Sequence, residues 1–273
     1  MVNSFKPKSE FLKKYVKDFS TFEKGCDLKI NFAAFPPIGT VFAFLKNAEF
    51  KVNKEHLQII PTLKNHFNSI ILGKYTRPVF ITYDGYVNEI SVNFHPLGIN
   101  YFFDDPYSVL APGNFQQLNN STWLDFGREL MNIDEIEKKL QMFEGFLIKK
   151  FKDPGLEKLQ LAVDLLASEE GDYKVSEVAD AAGVNERTLH RLFLKFVGCS
   201  PIMFKRIARF RNVIRQDILR ESLPNITALG YENNYYDSSH FVREYKTFTG
   251  KNPKLFFKDV EFLGNSSYPY IFL

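Results

Sequence analysis

The sequence predicts an α+β protein in which a β-rich half is followed by an all-helical half. Three observations lead to this fold class. Short runs rich in Val, Ile and aromatic residues alternate with turn residues from about 31 to 110, which is typical of antiparallel strands. Near residue 132 the apolar spacing changes to steps of three and four, the period of a helix. In the last hundred residues a pattern of about thirty residues occurs twice.

The β-rich half is expected to form a sandwich or a small cupin-like barrel. The dipeptide Asp84-Gly85 stands between two β-prone runs and predicts a short hairpin, because Gly adopts positive φ at little cost. Aromatic residues of these strands either fill the core or line an effector pocket, and the pocket candidates are Phe35, Phe44, Tyr83, Phe94 and Tyr101. His56, His66 and His95 lack the spacing of a metal site, so we predict neither a metal nor another cofactor.

A helix over 133–151 is expected to close the β-rich half. Its apolar residues form one stripe, Ile136, Leu140, Phe143 and Leu147. That stripe suits either packing on the β-rich domain or a helix contact in a dimer, and the sequence leaves both open. Asp153 and Pro154 predict the cap and first residue of the next helix. We therefore expect a β-rich domain over 1–152, a helical domain over 153–262 and a C-terminal tail over 263–273.

The repeated pattern covers residues 175–204 and 226–256. Each copy contains a small residue, a turn residue and a polar residue that can cap a helix: Ala179, Gly183 and Asn185 in the first copy, and Gly230, Asn234 and Asp237 in the second. This order predicts a short helix, a tight turn and a longer helix that crosses the first closely, a helix-turn-helix. The motifs are placed at 175–197 and 226–249, joined by a long helix over 201–219.

The longer helix of each copy has one apolar face and one polar, mostly basic face. The predicted apolar faces consist of Leu189, Leu192, Phe193 and Phe196 in the first copy and Phe241, Tyr245 and Phe248 in the second. A joining helix over 201–219 would be about 28 Å long, close to the roughly 34 Å between successive major-groove faces of B-DNA. The pattern therefore predicts that two helices enter adjacent major grooves of double-stranded DNA, on an operator with two half-sites about one helical turn apart.

The two motifs resemble the DNA-binding domain of the AraC/XylS family of bacterial transcription regulators. The resemblance rests on ITALGYENNYYDSSHFVREYKTFTGKNP in the second copy and on GVNERTLHRLFLKFVGCSP in the first. Lys174, Gly230 and Asn234 depart from the residues that are usual in the family. In the first half, NEISVNFHPLGINYFFDDPYSVL is similar to the β-rich domains of some AraC-type regulators, which bind an effector, mediate dimerisation, or both.

This resemblance implies a cytoplasmic, sequence-specific transcription regulator that reads DNA from the outward faces of the two longer helices. Base contacts are then expected from Arg187, His190, Arg191, Ser238, Ser239, Val242 and Arg243. Phosphate contacts are expected from Lys195, Arg206, Arg209 and Lys246. The resemblance further implies contact with RNA polymerase if the protein is an activator, which is the family default, and it allows a homodimer.

The average charge conceals a basic segment. The whole chain carries a formal net charge of only +3. Between Arg187 and Arg220, however, nine residues are basic and one is acidic, and between Ser238 and Lys258 five are basic and one is acidic. The remainder of the chain is therefore strongly negative, and the two motifs form a basic surface suited to DNA.

Other classes of protein fit the sequence less well. No GxSxG, HExxH, P-loop or GxGxxG motif occurs, so we predict no enzyme. Cys26 and Cys199 are too few for a disulfide framework and suit a reducing cytoplasm, and no apolar stretch is long enough to span a membrane. The alternative is a binding protein whose β-rich domain is a platform for protein or ligand contacts, with an architectural, effector-independent DNA-binding half.

Overall fold

The computed structural model describes residues 2–24, 29–62, 66–169, 171–217, 226–233, 235, 237–262 and 269–273. The strands are β1 (Val2–Phe5), β2 (Val16–Lys24), β3 (Lys29–Ala34), β4 (Thr40–Lys46), β5 (Ala48–Asn53), β6 (His56–Pro61), β7 (Phe67–Leu72), β8 (Val79–Asp84), β9 (Val87–Phe94), β10 (Phe115–Gln117), β11 (Glu261–Phe262) and β12 (Pro269–Phe272). The helices are α1 (Tyr107–Leu110), α2 (Ser121–Leu130), α3 (Ile136–Lys150), α4 (Glu157–Ala167), α5 (Val175–Ala181), α6 (Glu186–Phe196), α7 (Pro201–Asp217), α8 (Ile226–Glu232), α9 (Ser238–Thr249) and α10 (Pro253–Asp259).

The described strands form two sheets that face each other. Sheet one has the order β1-β2-β9-β4-β7-β10, and sheet two has the order β11-β12-β3-β8-β6-β5. Alternate side chains of both sheets meet in one apolar layer, for example Leu45 and Ile70 from sheet one with Leu57 and Ile81 from sheet two. The α+β class and the sandwich alternative are confirmed, and the described strands do not close into a barrel.

The predicted hairpin at Asp84-Gly85 is a turn between the sheets. Gly85 has a φ of +90°, as the turn signal requires. The strands on either side do not pair with each other, since β8 lies between β3 and β6 in sheet two, whereas β9 lies between β2 and β4 in sheet one. Tyr83 and Val87 belong to the same interior layer. The hairpin prediction is wrong because burying both residues from opposite walls requires the chain to cross from one sheet to the other.

Sheet one packs against helices on its outer face. Phe44 lies 5.8 Å from Phe143 of α3 and 6.5 Å from Trp123 of α2, measured between ring centres. On the α3 stripe, Leu140, Phe143 and Leu147 are buried in this core. The stripe therefore packs on its own β-rich half and does not form a dimer seam. The same core continues into α4, α5 and α6.

Sheet two carries the second motif on its outer face. Phe35, which follows β3, meets Phe256 of α10 edge to face at 5.1 Å, and Phe210 of α7 and Tyr245 of α9 belong to the same core. The helical half thus packs on both sheets, the first motif through sheet one and the second through sheet two.

Two terminal predictions are corrected. The predicted tail contains β12, which pairs antiparallel with β3 and buries Tyr270 and Ile271 on its opposite faces. Asp153 does not cap α4, which begins at Glu157. Its carboxylate accepts a hydrogen bond from the backbone N–H of Gly155 at 2.9 Å, and the φ of +67° at Gly155 delays the helix.

Candidate DNA-binding surface and ligand cavities

The first motif has the predicted helix-turn-helix geometry. After α5, Gly183 takes a φ of +65° and allows the tight turn. The backbone N–H of Val184 donates to the carbonyl of Ala179 at 3.0 Å. Asn185 then caps α6, since its side-chain oxygen accepts from the N–H of Thr188 at 2.8 Å. The turn and the cap together fix the residue at which α6 begins.

The outward face of α6 is exposed and basic. Leu189 and Phe193 are buried, and Leu192 and Phe196, which were also predicted to face inward, are partly buried. The exposed polar residues include those predicted to contact DNA: Arg187, His190, Arg191 and Lys195. No ion pair joins these side chains to another residue in the part of the chain that the structure describes. This face therefore carries uncompensated positive charge.

The second motif repeats this arrangement. Asp237 caps α9 by accepting from the N–H of His240 at 2.7 Å, and Gly250 ends the helix with a φ of +71°. A Cβ atom on Gly230 would lie 3.5 Å from the Cβ of Phe241, so α8 and α9 cross closely there. The inward residues Phe241, Tyr245 and Phe248 are buried, as predicted. The predicted turn residue Asn234 lies outside the described residues.

The outward face of α9 is less basic than that of α6. Ser239, Arg243 and Lys246 are exposed, whereas Ser238 and Val242 are partly buried. α7 joins the two motifs and has 17 residues, which corresponds to about 25 Å at 1.5 Å per residue. Residues 218 and 219 of the predicted joining helix lie outside the described residues.

Two of the predicted phosphate contacts are turned toward the protein. The Nε of Arg206 donates to the buried carboxylate of Glu244 at 2.7 Å, and its guanidinium lies 5.4 Å from the ring centre of Phe248. The guanidinium of Arg209 lies 4.9 Å from the ring centre of Tyr235, whose hydroxyl donates to Glu244 at 2.9 Å. Both arginines thereby contact the second motif, and both remain partly exposed.

A cavity of about 390 Å³ lies between the β-rich half and α7, and we call it the interdomain cavity. Its apolar lining comes from Pro37, Ile38, Phe94 and Ile214. Its basic lining comes from Lys6, Lys17, His95, Arg211 and Arg215. Arg211 also connects the two halves, since its guanidinium donates to the carbonyls of Phe35 at 2.5 Å and Pro36 at 2.6 Å.

The interdomain cavity carries an excess of positive charge. Burial lowers the pKa of Lys17 to about 8, with Asp18 opposing the shift and the charge of Arg211 adding to it. Burial and the charge of Lys17 also lower the pKa of His95. Asp18 and Glu169 lie near the cavity, the latter paired with Arg215, but no acidic side chain is among its described lining residues. A bound anion would stabilise the charged forms of these groups.

A second cavity, of about 130 Å³, lies between the two sheets, and we call it the sandwich cavity. Sheet two gives it an apolar and aromatic wall with Phe32, Ala34, Ile81 and Tyr83. Sheet one gives it a mixed wall, in which the polar residues Ser20, Glu89, Ser91 and Asn93 lie beside the apolar residues Val2, Phe22, Val41 and Leu72. The hydroxyl of Tyr83 donates to Glu89 at 2.8 Å, and burial raises the pKa of Glu89 to about 7 while this hydrogen bond opposes the shift.

The five aromatic residues predicted to line a pocket lie in different parts of the structure. Tyr83 lines the sandwich cavity, and Phe94 lines the interdomain cavity. The other three line neither. Phe35 packs on α10, Phe44 on the helices outside sheet one, and Tyr101 stacks on Phe151 at 5.8 Å.

Sequence reasoning missed the polar residues of both cavities. The sequence of β9, VNEISVNF, alternates polar and apolar side chains, and this alternation was a usable signal of two different faces. The basic lining of the interdomain cavity comes from three separate parts of the chain, around residues 6–17, 95 and 211–215, so no local pattern could have brought them together.

Two further properties concern only the residues that the structure describes. No helix among them is long and apolar enough to cross a membrane. No group of three or more His, Cys, Asp or Glu side chains is arranged there to hold a metal ion.

Residues 158–259 match the family model of a helix-turn-helix domain. Among solved structures the chain is similar to ToxT from Vibrio cholerae, with 14% identity and a TM-score of 0.47 over 88% of this chain and 97% of that one. ToxT with an unsaturated fatty acid bound gives 13% identity and a TM-score of 0.46, over 88% of this chain and 94% of that one. ToxT with (E)-4-(8-methylnaphthalen-1-yl)but-3-enoic acid bound also gives 13% identity and a TM-score of 0.46, over 88% of this chain and 98% of that one. No curated protein matches the chain.

The fold and the matched domain define a DNA-binding protein of the helix-turn-helix class. Its helix-turn-helix domain, residues 158–259, is of the AraC type.

Proposed function

We propose that this protein is a transcription regulator that reads an operator through α6 and α9 in consecutive major grooves, and that a ligand in the interdomain cavity controls this binding. The observation that carries the first part is the pair of outward polar faces, on α6 and α9, joined by a single helix of about 25 Å. This length is close enough to one turn of DNA for both helices to bind on the same side of the duplex.

Individual roles follow from exposure and chemistry. On α6, Arg187, His190 and Arg191 extend toward base edges, and Lys195 near the helix end binds phosphate. On α9, the base contacts are Ser238, Ser239, Val242 and Arg243, and the phosphate contact is Lys246. Arg206 and Arg209 are not included, because their guanidinium groups interact with Glu244, Phe248 and Tyr235.

The operator is best identified by selecting bound sequences from random DNA with the full chain. We expect two half-sites about 10 base pairs apart, because each motif reads one major groove. Binding to DNA without any enriched sequence would contradict sequence-specific readout and would favour the architectural, effector-independent alternative.

The controlling ligand is proposed to be an amphipathic carboxylate. The interdomain cavity offers five basic side chains beside apolar ones, so it suits an anionic headgroup with an apolar body. Because the cavity lies between the β-rich half and α7, a ligand there contacts both the β-rich half and the helix that sets the spacing of the two motifs. This control operates in the bacterial cytoplasm, where the operator is, and homodimer formation and contact with RNA polymerase are further steps that the family resemblance allows.

Calorimetric titration with decanoate tests this ligand class. Decanoate should bind the full chain and change its affinity for the selected operator, whereas decanol should bind much more weakly. Lys17→Gln and Arg215→Gln should weaken decanoate binding, and Lys14→Gln, which changes an exposed lysine outside the cavity, should not. Equal binding of decanoate and decanol, or no effect of the cavity variants, would contradict the proposal.

A further inference from the structure

The wall that sheet one presents to the sandwich cavity has an unusual composition for the inside of a β-sandwich. On β9, Ile90, Val92 and Phe94 point outward into the apolar core beneath the helices. Glu89, Ser91 and Asn93 alternate with them and therefore point inward, between the sheets. Inward positions of packed sheets are ordinarily apolar, and polar groups there cost free energy unless they have partners.

Some of these polar side chains are satisfied within the protein. Asn93 donates to Asp18 at 2.5 Å and to the hydroxyl of Ser20 at 3.0 Å. Glu89 accepts one hydrogen bond, from Tyr83. Its carboxylate has no cationic partner in the lining of the cavity, because no Lys, Arg or His is among the described lining residues. The other titratable groups that line the cavity are the phenols of Tyr75 and Tyr83.

The two cavities therefore differ in charge. The interdomain cavity has a basic lining, whereas the sandwich cavity has a single carboxyl group as its acidic residue. A carboxylate that burial separates from water is stabilised by a cation, and the raised pKa of Glu89 is the shift expected when that cation is missing. An anionic ligand would be repelled at the same position.

The size of the sandwich cavity limits the body of such a ligand. An apolar cavity of about 150 Å³ holds a benzene molecule, and the sandwich cavity has about 130 Å³. Phe32, Ile81 and Tyr83 form the wall opposite Glu89 and offer aromatic and aliphatic contacts to a single ring. A long chain or a fused ring system does not fit this volume.

We propose that the sandwich cavity binds a small primary amine with a ring-sized apolar body. Its ammonium group pairs with Glu89 and donates to Ser91, and its ring packs against Phe32 and Ile81 on the opposite wall. This site is separate from the interdomain cavity of the proposed function and shares none of its charged residues.

The test is calorimetric titration of the full chain at pH 8 with benzylamine, benzyl alcohol and benzoate, in the absence of DNA. Benzylamine should bind saturably and more tightly than the neutral alcohol, and benzoate should not bind in competition with it. Glu89→Gln should weaken benzylamine binding by about tenfold or more, because a charge-assisted contact is lost, and should leave benzyl alcohol unchanged. Glu129→Gln, an exposed carboxylate on α2, is the matched control.

A second variant tests the position of the ligand. Ala34→Val adds two methyl groups to the cavity wall and should weaken both benzylamine and benzyl alcohol. The proposal is overturned if benzylamine does not bind, if Glu89→Gln binds it as the natural chain does, or if Ala34→Val has no effect. Because no DNA is present, these outcomes are independent of whether the protein reads an operator as proposed.

Discussion

Glu244, on α9, connects this helix to α7 and to Tyr235 through a buried carboxylate. It accepts hydrogen bonds from Arg206 on α7 and from the hydroxyl of Tyr235 before α9. Burial and the charge of Glu244 raise the pKa of Tyr235 well above its usual value, so the phenol stays a donor. Glu244 therefore fixes how α9 lies against α7, and with it the direction in which the outward face of α9 points.

Glu244→Gln should reduce the free energy of unfolding by about 1 to 3 kcal/mol. An amide has one oxygen instead of two, so it can accept only some of the hydrogen bonds that the carboxylate accepts. It also leaves the partly exposed Arg206 without its countercharge. Urea denaturation compared with Glu129→Gln, which should be neutral, measures the difference. A Glu244 variant as stable as the control would show that the network does not hold α9.

Glu89→Gln should flatten the dependence of stability on pH. Because the pKa of Glu89 is raised to about 7 in the fold, the folded state keeps a proton that the unfolded state releases near pH 4.5. The stabilisation that the folded state gains by keeping this proton is therefore complete below pH 4.5 and is lost as the pH rises through 7. Denaturation curves at pH 5 and pH 8 should differ less for the variant than for the natural chain. Equal pH dependence would mean that Glu89 titrates normally.

At the scale of elements, local signals predicted structure better than distant pairing did. Gly183, Asn185 and Asp237 mark the turn and the helix starts within a few residues, and the structure places them there. The partner of a strand is not encoded locally. Thus Gly85 predicts the turn but not the pairing of β8. The sequence of β12 carries no local signal of its pairing, because its partner β3 is more than two hundred residues away.

Two glycine substitutions separate a required conformation from a tolerated one. Gly183→Ala should cost about 1 to 2 kcal/mol, because an alanine in the left-handed region is strained. Gly145→Ala, within α3, meets nothing within 4 Å and should be neutral or stabilising by up to about 1 kcal/mol. Denaturation of both variants provides the comparison, and equal losses would argue against a structural demand at the turn.

At the scale of the molecule, a basic helical surface is attached to an acidic remainder, and the average charge of +3 hides this division. The sequence predicted the division because charge can be counted along the chain. It could not predict that Arg206 and Arg209 would be used internally, since this depends on α9 packing beside α7. Nor could it predict the interdomain cavity, which exists only because the helical half packs on both sheets.

The salt dependence of DNA binding should distinguish surface cations from structural ones. Lys195→Ala and Lys246→Ala should each reduce the slope of log affinity against log salt by about one, because each removes a phosphate contact. Arg209→Gln should leave the slope unchanged, since Arg209 lies over Tyr235. Fluorescence anisotropy over a salt series measures the slopes, and a reduced slope for Arg209→Gln would return this residue to the phosphate contacts.

The most direct test of the central claim compares Arg191→Ala and Arg243→Ala on the selected operator and on random DNA. If these exposed arginines read base edges from α6 and α9, each variant should lose about 1 to 3 kcal/mol on the operator and much less on random DNA. Lys149→Ala, an exposed lysine of α3, should bind both as the natural chain does. Equal losses on operator and random DNA would show that the two arginines contact only phosphate, and would contradict sequence readout by these two helices.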